Sequence, residues 1–168
     1  MALKEVPLAG LLLDPFGAIG RDWMLVTAGD EHAHNTMTAS WGGLGVMWHK
    51  DVATCYIRQS RYTKEFIDAS ERLTLSFYDE KWRRALAHLG QVSGRDEDKI
   101  AAVGLTPCAV DGTTTFEEAR LTLVCRKLSA TYLGPESFVD PTIDATWYAD
   151  HDYHTMYICQ IERALVHE

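Results

Sequence analysis

The sequence predicts a mainly β chain, an antiparallel barrel with a few short helices inserted between its strands. Three observations carry this. Six segments either alternate apolar and polar residues or are dense in β-branched and aromatic residues, which is the pattern of strands. The helical stretches between them are short and irregularly spaced, so strands and helices do not alternate as a doubly wound sheet requires. With 168 residues, 46% hydrophobic and 24% charged, the chain has ordinary single-domain proportions. At that length a core buries roughly two-thirds of the unfolded surface without a metal or disulfide staple.

Residues 23–28 (WMLVTA) form a compact apolar run that stops at Gly29-Asp30, a strand followed by a turn. Residues 36–41 (TMTASW) alternate as a half-buried strand, and Gly42-Gly43-Leu44-Gly45 reads as the loop after it. Residues 52–58 (VATCYIR) and 73–78 (LTLSFY) are strands of the same quality. Residues 120–133 make a long strand or hairpin arm with a bulge at the paired charges Arg126-Lys127, and residues 155–166 make the last strand. One helix is predicted over 63–69, with Ser60 or Thr63 as N-cap. A second covers 79–89: Asp79 caps it, Trp82, Leu86 and Leu89 form its apolar stripe, and Gly90 ends it. A third covers 96–103, where Gly104-Leu105 reads as a left-handed C-cap and Pro107 prevents continuation. No repeat, low-complexity tract or linker interrupts the chain, so residues 1–168 read as one domain. The apolar start, MALKEVPLAGLLLDPFG, is short, carries Glu5 and is broken by Pro7 and Gly10, so it does not read as a signal peptide. No run is long enough to span a membrane.

The net charge of −8 repels phosphate backbones and argues against a nucleic-acid partner, while leaving room for one local anion pocket. Cys55, Cys108, Cys125 and Cys159 form no CxxC pair. Cys55, Cys125 and Cys159 lie in apolar runs and read as buried thiols, as suits a reducing cytoplasm. Gly43-Leu44-Gly45 lacks the third glycine of a dinucleotide fingerprint, and no P-loop is present. Gln91 stands where a nucleophile elbow around Ser93 needs glycine. His32-Ala33-His34 and His151-Asp152-Tyr153-His154 read as polar loop histidines rather than a metal site.

Three segments stand out together. The strand Met37, Thr38, Ala39, Ser40, Trp41 has small side chains beside a Gly-rich stretch, so a flat ring can lie close to the backbone; the plain alternative is a strand with an edge tryptophan. Arg58-Gln59-Ser60-Arg61-Tyr62-Thr63 joins a strand end to a helix start. Free N–H groups, two arginines and two hydroxyls there suit a phosphate monoester, or equally an ordinary N-cap with solvated arginines. Ser93-Gly94-Arg95, followed by Asp96-Glu97-Asp98-Lys99, repeats the theme with a turn whose charges neutralise one another as readily as they bind an anion.

At these residues the sequence resembles the flavin reductase-like, FMN-binding split-barrel family, in its flavoredoxin and flavin-reductase branch. The resemblance runs in order through NTMTASWGGLG (35–45), VATCYIRQSRYTKEF (52–66), LTLSFYDEKWRRAL (73–86), SGRDEDK (93–99), ARLTLVCRKL (119–128) and HTMYICQIE (154–162). The last strand departs from the family by carrying Cys159-Gln160 where Gly-Glu is common, and the first 20 residues match little. The resemblance implies a Greek-key split β-barrel that binds FMN non-covalently near a homodimer interface. Met37, Thr38, Ala39, Ser40 and Trp41 would line the flavin ring. Arg58, Ser60, Arg61 and Thr63 would hold the phosphate and ribityl chain, and Ser93, Gly94 and Arg95 would close the pocket. His154 would face the flavin, from the same subunit or from the partner subunit, with Trp48 nearby, and it is the candidate general acid.

The implied activity is NAD(P)H-dependent flavin reduction or flavoredoxin-like electron transfer, with NADH or NADPH as donor and a small molecule or protein as acceptor. Two alternatives keep the same barrel. One is an FMN-carrying electron-transfer module without NAD(P)H activity. The other is a split barrel turned to another ligand such as haem, against which the arginine-rich turn at 58–63 speaks. Five Trp, seven Tyr and five Phe suit a homodimer interface as well as a core.

Overall fold

The computed structural model describes residues 3–167. Met1 and Ala2, which belong to the apolar start read above as no signal peptide, and Glu168 lie outside the described residues. The chain runs β1 (Leu3–Val6), a π-helical turn (Phe16–Arg21), β2 (Met24–Gly29), β3 (His34–Ala39), β4 (Gly42–Met47), β5 (Lys50–Arg58), α1 (Tyr62–Ala69), β6 (Arg72–Phe77) and α2 (Arg83–Gln91). It continues with α3 (Lys99–Val103), β7 (Pro107–Val110), β8 (Thr113–Phe116), β9 (Leu121–Leu133), α4 (Thr142–Trp147) and β10 (His154–His167). Among the described residues no helix is long and apolar enough to cross a membrane.

One sheet runs in the order β3-β2-β6-β9-β10-β5-β4, every pairing antiparallel, with β1 added on the C-terminal half of β10. β6, β9 and β10 lie side by side in chain order and β5 returns beside β10, which is a Greek key. β3 and β4 occupy the two ends of this path yet are joined by only Ser40 and Trp41. In a flat sheet six spacings of about 4.8 Å would separate them by roughly 29 Å. A two-residue link reaches about 10 Å. The sheet therefore curls until its edges converge, as a barrel does.

The alternation of β6 shows what fills the two faces. Leu73, Leu75 and Phe77 enter the barrel core with Val26, Ile57, Leu123 and Tyr157. Thr74 and Ser76 point the other way, but not to water: the β7–β8 hairpin lies over them. Ser76 Oγ is 3.0 Å from Thr115 Oγ1, which is 2.8 Å from Thr122 Oγ1, and Thr74 donates to the Thr114 carbonyl. The outer side of β2 is covered likewise, with Leu25 packed against Leu86 and Leu89 of α2 and Ile100 of α3. Cys55, Cys125 and Cys159 are buried free thiols, as read from the sequence.

Several boundaries differ from the sequence reading, each for a local reason. Gly42-Gly43-Leu44-Gly45 is strand β4 rather than a loop. A Cβ on Gly42 would stand 2.8 Å from the Thr54 carbonyl of β5, so the glycine permits a close strand approach. The N-cap of α1 is Arg61, not Ser60 or Thr63, and no side chain caps it; Ser60 bonds Asp152, and Thr63 accepts from Asn35. The helix expected from Asp79 begins as a 3-10 turn at Glu80 and becomes α2 at Arg83. Gly90 does not end it but lies within it, with Thr38 filling the place of a side chain. α3 starts at Lys99, capped by the Asp98 carboxylate, and closes as expected at Gly104. The β9 bulge falls at Leu128, one residue past the Arg126-Lys127 pair, because Arg126 and Lys127 stay in register opposite Gln160 and Cys159.

Gly29 adopts φ +100, and a Cβ there would lie 2.2 Å from the Ala33 carbonyl. Gly29→Ala is expected to destabilise the fold by more than about 1 kcal/mol, read from the urea midpoint at constant slope.

Candidate functional site

The site grows from the ends of three strands. Alternation along β5 sends Ala53, Cys55 and Ile57 into the core and leaves Thr54, Tyr56 and Arg58 on the opposite face. Arg58 ends β5 directly across from His154, the first residue of β10. β3 stands at a sheet edge, paired only with β2, so alternate main-chain N–H and C=O groups along 37–39 point away from the ladder. These elements enclose a hollow of about 210 Å³ lined by Met37, Thr38, Ala39, Ser40, Trp41, Tyr56, Arg58, Arg61 and His154. Ser40, Trp41 and Tyr56 also line a neighbouring hollow of about 540 Å³ with Phe16, Ile19, Gly42, Leu44 and Tyr148. Together the two lie in the size range of small-molecule sites, about 300–1,000 Å³.

Aromatic rings wall one side. The Trp41 ring lies 5.3 Å from Trp147, edge to face, and 5.1 Å from the His154 ring. The Tyr148 hydroxyl and His154 Nδ1 share a hydrogen bond of 2.7 Å. Tyr148 in turn stacks on Tyr153 and Phe138. His154 is buried, and desolvation, reinforced by the Arg58 charge and opposed by Asp152, lowers its pKa to about 4. Its ring is therefore neutral at pH 7: a wall and hydrogen-bonding group rather than an imidazolium.

Polar groups gather at the other side. Arg58 donates to the main-chain carbonyls of Asp152 at 2.8 Å and Trp147 at 3.1 Å. The Ser60 N–H donates to one Asp152 carboxylate oxygen at 3.1 Å, and the Ser60 hydroxyl donates to the other. Arg61 donates to the Gly90 carbonyl at 2.9 Å. Buried Lys99 donates to the carbonyls of Leu89 at 2.8 Å and Val92 at 2.9 Å. Thus the negative end of the α2 dipole holds two cations and aims Arg61. Burial lowers the Arg61 pKa, and it pushes that of Lys99 down to about 8 with Arg61 adding to the effect.

A family model described as flavin reductase like domain matches residues 16–168. The chain belongs to this family. Compared by sequence with curated proteins, it matches none. Among solved structures it is similar to an FMN-binding domain of flavin reductases-like enzyme from Shewanella baltica, at TM-score 0.70 and 16% identity over 98% of this chain and 77% of that one. A flavoredoxin of Desulfovibrio vulgaris superposes at TM-score 0.67 and 21% identity over 87% and 69%. An FMN-binding protein from Thermus thermophilus with bound 1-cyclohex-2-enone does so at 0.68 and 18% over 96% and 79%. Identities this low establish a shared fold, so this member of the flavin reductase like family has their barrel.

Of the residues singled out from the sequence of this flavin reductase-like domain, Met37, Thr38, Ala39, Ser40, Trp41, Arg58, Arg61 and His154 come together around one hollow. Ser60 does not line the hollow but is linked to it through Asp152, whose carbonyl takes Arg58. Thr63 is buried and takes the Asn35 amide at 2.9 Å, so it supports the turn from beneath. Gly94 lines a separate recess with Asn35 and Tyr62. Ser93 accepts from the Arg95 N–H, and Arg95 lies over the Tyr62 ring while donating to the Ser60 carbonyl at 3.3 Å and to Glu65. This turn braces the Ser60 segment from outside the hollow. Trp48, placed near the flavin by resemblance, sits at the tip of the β4–β5 hairpin, half exposed. Sequence reasoning missed Tyr56, Tyr148 and Asp152. Tyr56 was findable, since period two from Arg58 puts it on the same face.

The His154 shift has a defined sign. Between pH 6.5 and about 4 the unfolded chain binds a proton that the folded chain refuses, so stability is full above pH 6.5 and falls as pH drops towards about 4. The loss attributable to this group is about 3 kcal/mol. Denaturant melts across that range should show a flatter acid limb in His154→Gln than in the wild type; equal slopes would place the acid sensitivity elsewhere.

Proposed function

We propose that this flavin reductase-like chain binds FMN in the hollow beside the β3–β4 link and acts as a flavin-dependent oxidoreductase. Electrons come from NADH or NADPH and leave to a small-molecule or protein acceptor. The carrying observation is the donor set at the polar end. The N–H and hydroxyl of Ser60 already hold an anion, the Asp152 carboxylate, beside Arg58 and Arg61. A phosphate monoester asks for these same donors. The names of the Shewanella and Thermus proteins, which share the fold, agree with this ligand.

Bound flavin supplies the redox chemistry, accepting hydride and releasing electrons. The protein's part is binding and orientation. Arg58, Ser60 and Arg61 hold the phosphate. The outward main-chain groups of 37–39 offer donors and acceptors to the polar edge of a ring. Trp41, Trp147 and Tyr148 shield one side from water, and neutral His154 offers a hydrogen bond without adding charge.

The active form is a homodimer. Val46, Met47 and Trp48 at the β4–β5 tip are exposed, as are Leu12 and Phe16, and Phe16 borders the larger hollow with Leu44. So much exposed apolar surface fits a subunit interface. Val46→Asp with Trp48→Asp is expected to halve the mass seen by light scattering. A wild type already monomeric would remove the dimer.

The reading predicts a yellow protein that releases FMN on heating, or a colourless one that takes up added FMN. Arg58→Ala with Arg61→Ala should lose FMN affinity by about 100-fold or more, at roughly 1.5 kcal/mol or more per charge-assisted contact. Anaerobic NADH or NADPH should bleach the bound flavin; a flavin that neither bleaches would make the chain an electron carrier. Failure to bind FMN at all would overturn the reading.

A further inference from the structure

Resting on the FMN reading, we propose that Asp152 determines ligand specificity: it is an internal anion seated on the phosphate donors, and it brings the affinities for phosphorylated and unphosphorylated flavin close together. The carboxylate is held by both donors of Ser60. Its own backbone is pinned as well, since the Asp152 carbonyl accepts from Arg58 at 2.8 Å and its N–H donates to Asp150 at 3.1 Å. The next residue is tied down too, because the Gln59 N–H donates to the Tyr153 carbonyl at 3.1 Å. Two residues on, His154 is locked in register opposite Arg58. Asp152 is thus a preorganised occupant rather than a wandering surface side chain.

A flavin phosphate carries roughly −1.5 to −2 charge at pH 7 and needs several donors. Ser60 offers it an N–H and an O–H that are both in use. Binding the phosphate there requires either moving Asp152 off or leaving two anions side by side. Arg58 and Arg61 still attract the phosphate, but against a neighbouring carboxylate. A ribityl chain ending in a hydroxyl meets no such conflict, because its O–H can donate to Asp152. The chain should therefore accept riboflavin almost as readily as FMN.

The test titrates wild type, Asp152→Asn, Asp152→Ser and Asp152→Glu with FMN and with riboflavin, following flavin fluorescence, with thermal melts to establish folding. The wild type should prefer FMN by less than about tenfold. Asp152→Asn should bind FMN at least about tenfold more tightly while riboflavin stays within about threefold; Asp152→Ser, the second neutral variant, should agree. Asp152→Glu keeps the charge and should keep the wild-type ratio. A wild type that prefers FMN by about 100-fold, or neutral variants that bind FMN no better, would overturn the inference while sparing the FMN reading. Weakening of both flavins together would make Asp152 a structural anchor only. If neither flavin binds any variant, both fall.

Discussion

The link of Ser40 and Trp41 between β3 and β4 constrains everything around it, because the strands it joins stand at opposite ends of the sheet path. Closure by so short a link leaves a seam where two edge strands converge without pairing. The hollow opens at this seam. β3 brings outward main-chain groups to it, β4 brings glycines that let β5 approach, and Trp41 lies on the link itself. The binding surface is thus a by-product of how the sheet closes. Its polar end is then supplied by whatever follows β5, which is the Arg58–Arg61 turn.

Much of this was legible because period two is a strong signal in a sheet. It located β2, β3, β5, β6, β9 and β10 to within a few residues. It failed at β4, whose glycines read as loop because the backbone contact they permit is invisible in one strand alone. The β7–β8 hairpin was missed although Asp111-Gly112, both at positive φ, is a strong two-residue turn signal. Its strands are threonine-rich and pack hydroxyl to hydroxyl, so they lack the apolar alternation that marked the others. The π-helical turn at Phe16–Arg21 and α4 span six residues each and carry no apolar stripe, although the Asp14 and Asp140 carboxylates accept the Phe16 and Thr142 N–H groups at their starts.

The site was legible by residue type more than by role. The arginines, Ser60 and the 37–41 strand stood out, and they do meet. What one segment cannot show is its partner across the fold. Thr63 is spoken for by Asn35, 28 positions away, and Ser60 by Asp152, 92 positions away. Lys99, read with Arg95 as a charge that either binds an anion or is neutralised by its acidic neighbours, is instead buried under the end of α2. A count of cationic residues near a turn does not say which of them face the ligand.

The two cations at the α2 terminus bear on how fast a ligand is caught. Lys99 and Arg61 both face carbonyls, Arg58 faces two carbonyls, and Arg95 faces Glu65. Carbonyl dipoles soften these charges locally without cancelling them, while the chain as a whole carries −8. An anionic ligand therefore approaches against the net field and meets attraction only close to the cradle, and encounter should quicken as added salt screens the long-range repulsion. Recognition begins only at contact, so selectivity resides in dissociation rather than in arrival.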